Sequence, residues 1–435
     1  MKKLSEKLEF WQKSSNFAGE MNKIVRDSAK LLSANVVAQA IGLLVYPILT
    51  RLYSPDDFGV LNLFMSIGGV LVLLSTAEYQ YAIVLPKEEK KARLVMAVCA
   101  MILVIVSGLV LLTLPFSRQI AGLFRAPALA QIYVFLPLYV LNAGFWNILN
   151  YWYLRKKEFN RISGYQVSQS VLSAGGKIGF GFVGWTGLGL PLGSVLAQTG
   201  ALGLSISLGW KHLKSKELIE WKDCRTVAKE YKNFPQFALP HSLANFVFSQ
   251  LPVFILTPLF GTDKVGLWGM AFLLAFTPIN VIAKSLNQVY YERITGWVNN
   301  GEPVFKRLII LLPWTLVIAL PVFAGLYIVL PWLTSWLLGA QWEASGHLIR
   351  WMLPWVTVAL LIAPVGCLKD IYFKQKTGLL FELICGALRC IGIGIGIWQK
   401  DFMLAIGYYA IASAIVYAAE YGWLLSLAKG KETKK

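Results

Sequence analysis

Long apolar runs separated by short polar stretches repeat along the whole chain, and the run length decides which elements they predict. A helix rises about 1.5 Å per residue, so about 20 apolar residues cross the roughly 30 Å hydrocarbon core of a bilayer. Twelve runs reach that length: Leu31–Thr50, Phe58–Leu85, Leu94–Leu114, Leu129–Leu149, Ser163–Val183, Leu188–Leu208, Phe237–Phe260, Val265–Tyr290, Leu308–Leu330, Ala344–Gly366, Leu379–Trp398 and Phe402–Leu427. The pattern predicts an all-α integral membrane protein of about twelve transmembrane helices. Composition agrees: of 435 residues, 56% are hydrophobic and 15% charged, with a mean hydropathy of +0.57. A soluble core of this length needs far less apolar surface.

Charge placement then orients the spans. Of the 41 lysines and arginines, 32 fall in the termini and in every second loop, 5 in the remaining loops (Arg51, Arg118, Arg125, Lys264, Lys400) and 4 within spans (Lys177, Lys284, Arg350, Arg389). By the positive-inside rule the rich side is cytoplasmic, with both termini on it. The net charge of +18 is therefore topogenic charge beside anionic headgroups, and no nucleic-acid partner is expected. No cleavable leader opens the chain; Leu4, Leu8 and Trp11 fall at helical spacing among lysines, as in an amphipathic helix on the inner leaflet. Five cysteines without a CxxC pair and three scattered histidines predict neither a disulfide framework nor a metal site, and no cofactor is implied.

Two segments align without a gap: LTRLYSPDDFGVL from Leu49 and LTPLFGTDKVGLW from Leu256. The pairs Leu49/Leu256, Thr50/Thr257, Leu52/Leu259, Tyr53/Phe260, Asp56/Asp263 and Gly59/Gly266 recur in register. An offset of six helices preserves orientation, so the repeats are parallel and related by an axis along the membrane normal. The expected organisation is a cytoplasmic segment 1–28, a first lobe 29–210, a linker 211–234, a second lobe 235–428 and a basic tail 429–435.

Polar side chains inside a bilayer are costly, and those that persist face a bundle interior or a wet cavity. Here they form stripes at helical spacing. The fifth span carries Gln166, Gln169, Ser170, Ser173 and Lys177, the seventh His241, Asn245 and Ser249, and the eighth Thr277, Asn280, Lys284 and Asn287. The fourth adds Asn142, and the eleventh adds Glu382 and Arg389. Two readings compete for each residue: hydrogen bonding between packed helices, or the lining of a shared cavity. For the cations Lys177, Lys284, Arg389 and Arg350 the cavity reading calls for an anionic cargo, with Asn35, Gln39, Asn142, His241, Asn245 and Asn280 as polar lining. Glu78 and Glu420 are candidates for ion coupling or gating.

The segment Ala228–Thr295 resembles the central region of Wzx-type polysaccharide flippases. PILTRLYSPDDFGVLNLF (Pro47–Phe64), YAIVLPKEEKKA (Tyr81–Ala92) and LLGAQWEASG (Leu337–Gly346) are similar to three further signatures of that family. The resemblance implies the two-lobed fold of the multidrug/oligosaccharidyl-lipid/polysaccharide (MOP) exporter superfamily. It also implies a cargo: undecaprenyl-pyrophosphate-linked oligosaccharide units, moved from the inner to the outer leaflet of a bacterial plasma membrane for O-antigen, capsule or exopolysaccharide assembly. Membrane lipids, and the polymerase and chain-length proteins of such a pathway, are the implied partners. One chain holds both lobes, so a monomer suffices. Where relatives commonly read Arg-Tyr-Glu before AIVLP, this chain has Glu78-Tyr79-Gln80. A lipid II-type flippase and a drug/cation antiporter of the same superfamily are the alternatives, and a membrane glycan polymerase is a third. The antiporter favours acidic lining, whereas the in-span excess here is basic; the polymerase needs a catalytic extramembrane loop, and the longest outer loop, Pro115 to Ala128, has no carboxylate or histidine.

Overall fold

A computed structural model describes residues 36–213, 221–372 and 374–432. Helices occupy each of the twelve apolar runs: α1 (Val36–Leu52), α2 (Pro55–Thr76), α3 (Glu89–Leu112), α4 (Leu136–Arg155), α5 (Phe159–Phe182) and α6 (Thr186–Leu213), then α7 in two arms (Phe234–Ser249 and Leu251–Phe260), α8 (Thr262–Asn299), α9 (Leu311–Leu338), α10 (Glu343–Ile362), α11 (Gln375–Trp398) and α12 (Phe402–Glu432). Among the described residues nine of these are long and apolar enough to cross a membrane, or ten with the bent α7. α1 is a shorter apolar helix within the described residues, and α5 falls outside that set as the most polar of the long helices. The expected N-terminal amphipathic helix and Asn35 lie outside the described residues.

Several boundaries move. The second run predicts helix to Leu85, but α2 stops at Thr76 because Ala77 (φ 46°) and Glu78 (φ 61°) are left-handed, and a 3₁₀ turn covers Tyr79–Val84. α7 bends by 42° at Gln250, two residues before Pro252, which has no N–H to continue a ladder. α9 is displaced from the predicted Leu308–Leu330 toward its C-terminal end. At the start of α2, Ser54 is the N-cap, and its backbone and hydroxyl both bond the Asp57 carboxylate in a capping box.

Helices α2–α6 pack mainly among themselves, as do α7–α12, giving two lobes joined chiefly where α2 crosses α8. The crossing is reciprocal. A Cβ on Gly59 would fall on the Thr262 carbonyl and 3.1 Å from the Gly266 nitrogen; one on Gly266 would fall on the Pro55 carbonyl and 2.9 Å from the Gly59 nitrogen. Pro55 and Thr262 stand in the same register as Gly59 and Gly266, so each lobe gives the other the same contact. That exchange is the mark of a two-fold axis between parallel repeats.

The two membrane faces differ. The basic face, which carries Lys87, Lys90, Lys156 and Lys157, also holds a linker helix, Trp221–Glu230, laid against α3. Its Cys224 and Val227 are buried with Ala92 and Val95, the Tyr79 hydroxyl donates to the Ala228 carbonyl at 2.9 Å, and Lys91 pairs with Glu230 at 2.7 Å. Arg155 donates to the carbonyls of Ile83, Val84, Pro86 and Lys87, pinning the turn after Tyr81. On the opposite face Gln341 and Trp342 of the second lobe donate to the Thr50 carbonyl of the first, at 2.8 and 3.3 Å.

Candidate functional site

The polar stripe of α5 meets α1 in a groove of about 290 Å³. α5 contributes Gln166, Gln169, Ser170, Ser173 and Lys177, and α1 contributes Gln39, Tyr46 and small or aliphatic residues. The α5 residues recur every three or four positions and so share one face, which over eleven residues stretches the groove to about 16 Å. Ser170 closes one edge by donating to the Ala38 carbonyl at 2.7 Å. The side-chain oxygens of Gln39 and Gln166 are buried without a hydrogen-bond partner among the described residues. Each is an acceptor waiting for a donor.

Lys177 is the cation of this groove. Its stem lies across Gly193 of α6, where a Cβ would come within 2.9 Å of its Cγ, and its carbonyl accepts from the Tyr53 hydroxyl at 2.6 Å. No carboxylate pairs with it among the described residues. An ammonium half-removed from water without a counter-ion needs water or an anionic ligand.

A second polar surface lies on the other lobe. His241 and Asn245 on α7 and Asn280 and Lys284 on α8 are exposed, with no hydrogen-bond or ion partner among the described residues. Lys284 follows Gly266 by 18 residues, five helical turns, and Asn280 by about four, so both continue the face with which α8 touches α2. The contact is made near the start of α8; further along, the same face is uncovered. Lys284 stands about 27 Å along α8 from the crossing, toward the basic face, whereas Lys177 is five residues from the opposite-face end of α5. The structure therefore sets these two cations at different depths.

The remaining candidates have local partners. Arg389 is 3% exposed; its Nε donates to Ser413 at 2.8 Å, Glu382 lies at 3.9 Å, and its guanidinium sits 5.2 Å from the rings of both Trp355 and Tyr409. It is enclosed within the second lobe. Asn142 is buried and donates to Thr199 at 2.7 Å, joining α4 to α6. Arg350 donates to the carbonyls of Tyr327 and Ile328 on α9. Glu78 is buried at the break after α2, holding Gln80 at 2.5 Å, and Glu420 faces Lys369 at 3.9 Å. For Arg389, Asn142 and Arg350 the geometry is that of helix-to-helix bonding. Among the described residues no group of three His, Cys, Asp or Glu is placed to hold a metal.

Sequence reasoning passed over Tyr46 and the depth at which Gly59 and Gly266 pack. The recurring glycine of the repeated motif was the available signal for the second.

The family described as "Polysaccharide biosynthesis protein" matches residues 48–346. No curated protein matches the chain. Among solved structures it is similar to the lipid II flippase MurJ in an inward closed conformation (TM-score 0.71, 15% identity, 92% of this chain and 87% of that one). It is similar also to an inward-facing multidrug resistance MATE transporter of the MOP superfamily (0.70, 14%, 91% and 96%) and to the Vibrio cholerae MATE transporter VcmN (0.61, 14%, 93% and 96%). At these identities the likeness is one of fold.

Proposed function

The chain belongs to the polysaccharide biosynthesis protein family and has the MOP exporter fold, and from that premise we propose that it is a flippase for undecaprenyl-pyrophosphate-linked oligosaccharide units. In this reading it is a carrier, not an enzyme, and works in a bacterial plasma membrane with its basic face toward the cytoplasm. The observation that carries the proposal is Lys177, a cation without a carboxylate partner among the described residues, in a groove where the oxygens of Gln39 and Gln166 lack donors. A diphosphate offers the anion and sugar hydroxyls offer the donors. A cationic drug offers no anion to Lys177, which sets the antiporter reading below this one.

The difference in depth suggests an order. With the lobes joined at the opposite face, the head group enters from the basic face and meets Asn280 and Lys284 on the uncovered flank of α8. It then reaches the α1/α5 groove and Lys177, while the polyprenyl chain stays in lipid. Each contact is weakened by water, which helps release. Arg389, Arg350 and Asn142 hold the lobes' internal architecture and have no contact with cargo in this scheme.

The test is transfer of a fluorescent undecaprenyl-pyrophosphate oligosaccharide across proteoliposomes holding the purified protein. Lys177→Glu and Lys284→Glu should each lower the initial rate by about tenfold or more, since each replaces an attraction by a repulsion. Lys177→Arg should retain most of it. Wild-type protein that transfers no labelled lipid, or a Lys177→Glu variant at full rate, removes the proposal. Lipid II as competitor separates the MurJ-like alternative: complete inhibition at equal concentration would favour it.

A further inference from the structure

The two lobes come into direct backbone contact where α2 crosses α8, near the face opposite the basic one, and that geometry defines a working part. At the α2/α8 crossing Gly59 and Gly266 face each other's main chain so closely that neither has room for a methyl group. Three contacts surround the pair. Thr262 donates its hydroxyl to Asp56, the Asn62 amide donates to the Val265 carbonyl at 3.4 Å, and Gly269 packs on Asn62 with no space for a Cβ. Gln341 and Trp342 add two bonds to the end of α1. Buried alongside are Leu49, Phe58, Leu61, Met270 and Trp342, drawn from both lobes.

We infer that the Gly59/Gly266 crossing is the seal of the face opposite the basic one, which must part for cargo to leave on that side. The inference rests on the flippase reading for its purpose, though the seal is defined by contacts alone. Four physical points support it. First, backbone-to-backbone contact without intervening side chains brings helices closest, and the hydrogens pointing at the Thr262 and Pro55 carbonyls have the arrangement of weak Cα–H···O bonds. Second, the contact is reciprocal under the repeat, so it lies on the two-fold axis midway between the lobes, where both present the same surface. Third, the side-chain bonds around it are few and polar, so water can replace each of them when the lobes part. Fourth, along α8 the same face loses cover and becomes polar at Asn280 and Lys284.

A methyl group on either glycine forces the helices apart by about an ångström, because packed interiors cannot absorb the overlap elsewhere. Widening one end of two rigid bodies biases the pair toward the state open on that side. Gly266→Ala and Gly59→Ala, one in each lobe, should therefore act alike. A Cβ on Gly108 of α3 would have nothing within 4 Å, so Gly108→Ala is the matched control.

The test uses full-length protein with its five cysteines replaced by serine, oriented in vesicles, and a membrane-impermeant maleimide applied to the face opposite the basic one. The reporter is Leu273→Cys, seven residues beyond Gly266 on the same face of α8. Gly266→Ala and Gly59→Ala should each raise its labelling rate about tenfold, and Gly108→Ala should leave it unchanged. Monodisperse Gly266→Ala protein labelled at the parent rate overturns the inference. Should the alanine variants fail to fold, the pair Asp56→Cys/Thr262→Cys answers independently. Oxidised to a disulfide it should hold the reporter unlabelled and stop lipid transfer, both reversed by reductant; a fully cross-linked protein that still transfers at the parent rate overturns the seal. Labelling needs no cargo, so a seal that opens in a protein that moves no lipid-linked glycan refutes the proposed function and leaves this inference standing.

Discussion

Pro331 stands inside α9 and has no N–H to give the Tyr327 carbonyl four residues before it, while its ring crowds the backbone of the preceding turn. Arg350 from α10 donates to that carbonyl and to the next one, Ile328, and lays its guanidinium 5.1 Å from the Tyr327 ring. The arginine thus repairs a gap that the proline makes. Arg350→Ala should lower unfolding stability in detergent by about 1.5–3 kcal/mol, the usual worth of a hydrogen bond to a charged group. In a Pro331→Ala background the loss should shrink, because an alanine at that position would supply the missing N–H; an equal loss in both backgrounds breaks the explanation. Lys177 and Arg389 show why residue type alone did not separate lining from glue. Both are cations near the middle or end of a fifth helix of their lobe, and both have glycines nearby. Only the fold puts Trp355, Tyr409 and Ser413 around one and an open groove beside the other.

At the scale of elements, periodicity found the helices and misplaced their ends. The second apolar run reads across Glu78 and Gln80 to Leu85, yet α2 stops at Thr76 on two left-handed residues that are not glycine. Positive φ costs an alanine free energy that glycine does not spend. Ala77→Gly should therefore raise stability by about 0.5–1 kcal/mol, read as a higher midpoint of thermal unfolding, and a lower midpoint would show that the alanine methyl is needed there. The break matters because it frees Tyr79 to reach the linker helix and lets Arg155 gather the carbonyls that follow. Of the long elements, α5 is where the polar stripe was easiest to read: its spacing is helical, and the partner helix α1 needed only to leave room.

Across the whole molecule the linker helix ties the middle of the chain to the first lobe. Cys224 on it is buried against α3, and burial first, then the Asp223 charge, hold its thiol above the usual cysteine range. A raised thiol pKa means less thiolate at any pH below it, so maleimide labelling of Cys224 should be slow near neutral pH and climb as the pH rises. Val227→Asp, which puts a charge into the same contact, should speed that labelling by roughly tenfold by releasing the helix. An unchanged rate would mean that the linker is held by Lys91–Glu230 and Tyr79 alone. The two-lobed plan was legible from one short repeat, since matched loops at a six-helix offset admit only parallel halves. The contact between the lobes was not.

Sequence alone determined that this chain folds in lipid as a series of long apolar helices with one strongly basic face, and that its halves share a plan, since those properties depend on local apolar length and on charge counted along the chain. Tertiary structure decided which buried polar groups keep a free valence. Gln39, Gln166 and Lys177 lie in an open groove while Arg389, Arg350 and Asn142 spend theirs on neighbouring helices, and Gly59 meets Gly266 across the lobes. The reason is that a hydrogen-bond partner or a backbone contact is supplied by residues distant in the chain, and helical spacing fixes only which face a side chain is on, not what stands opposite it.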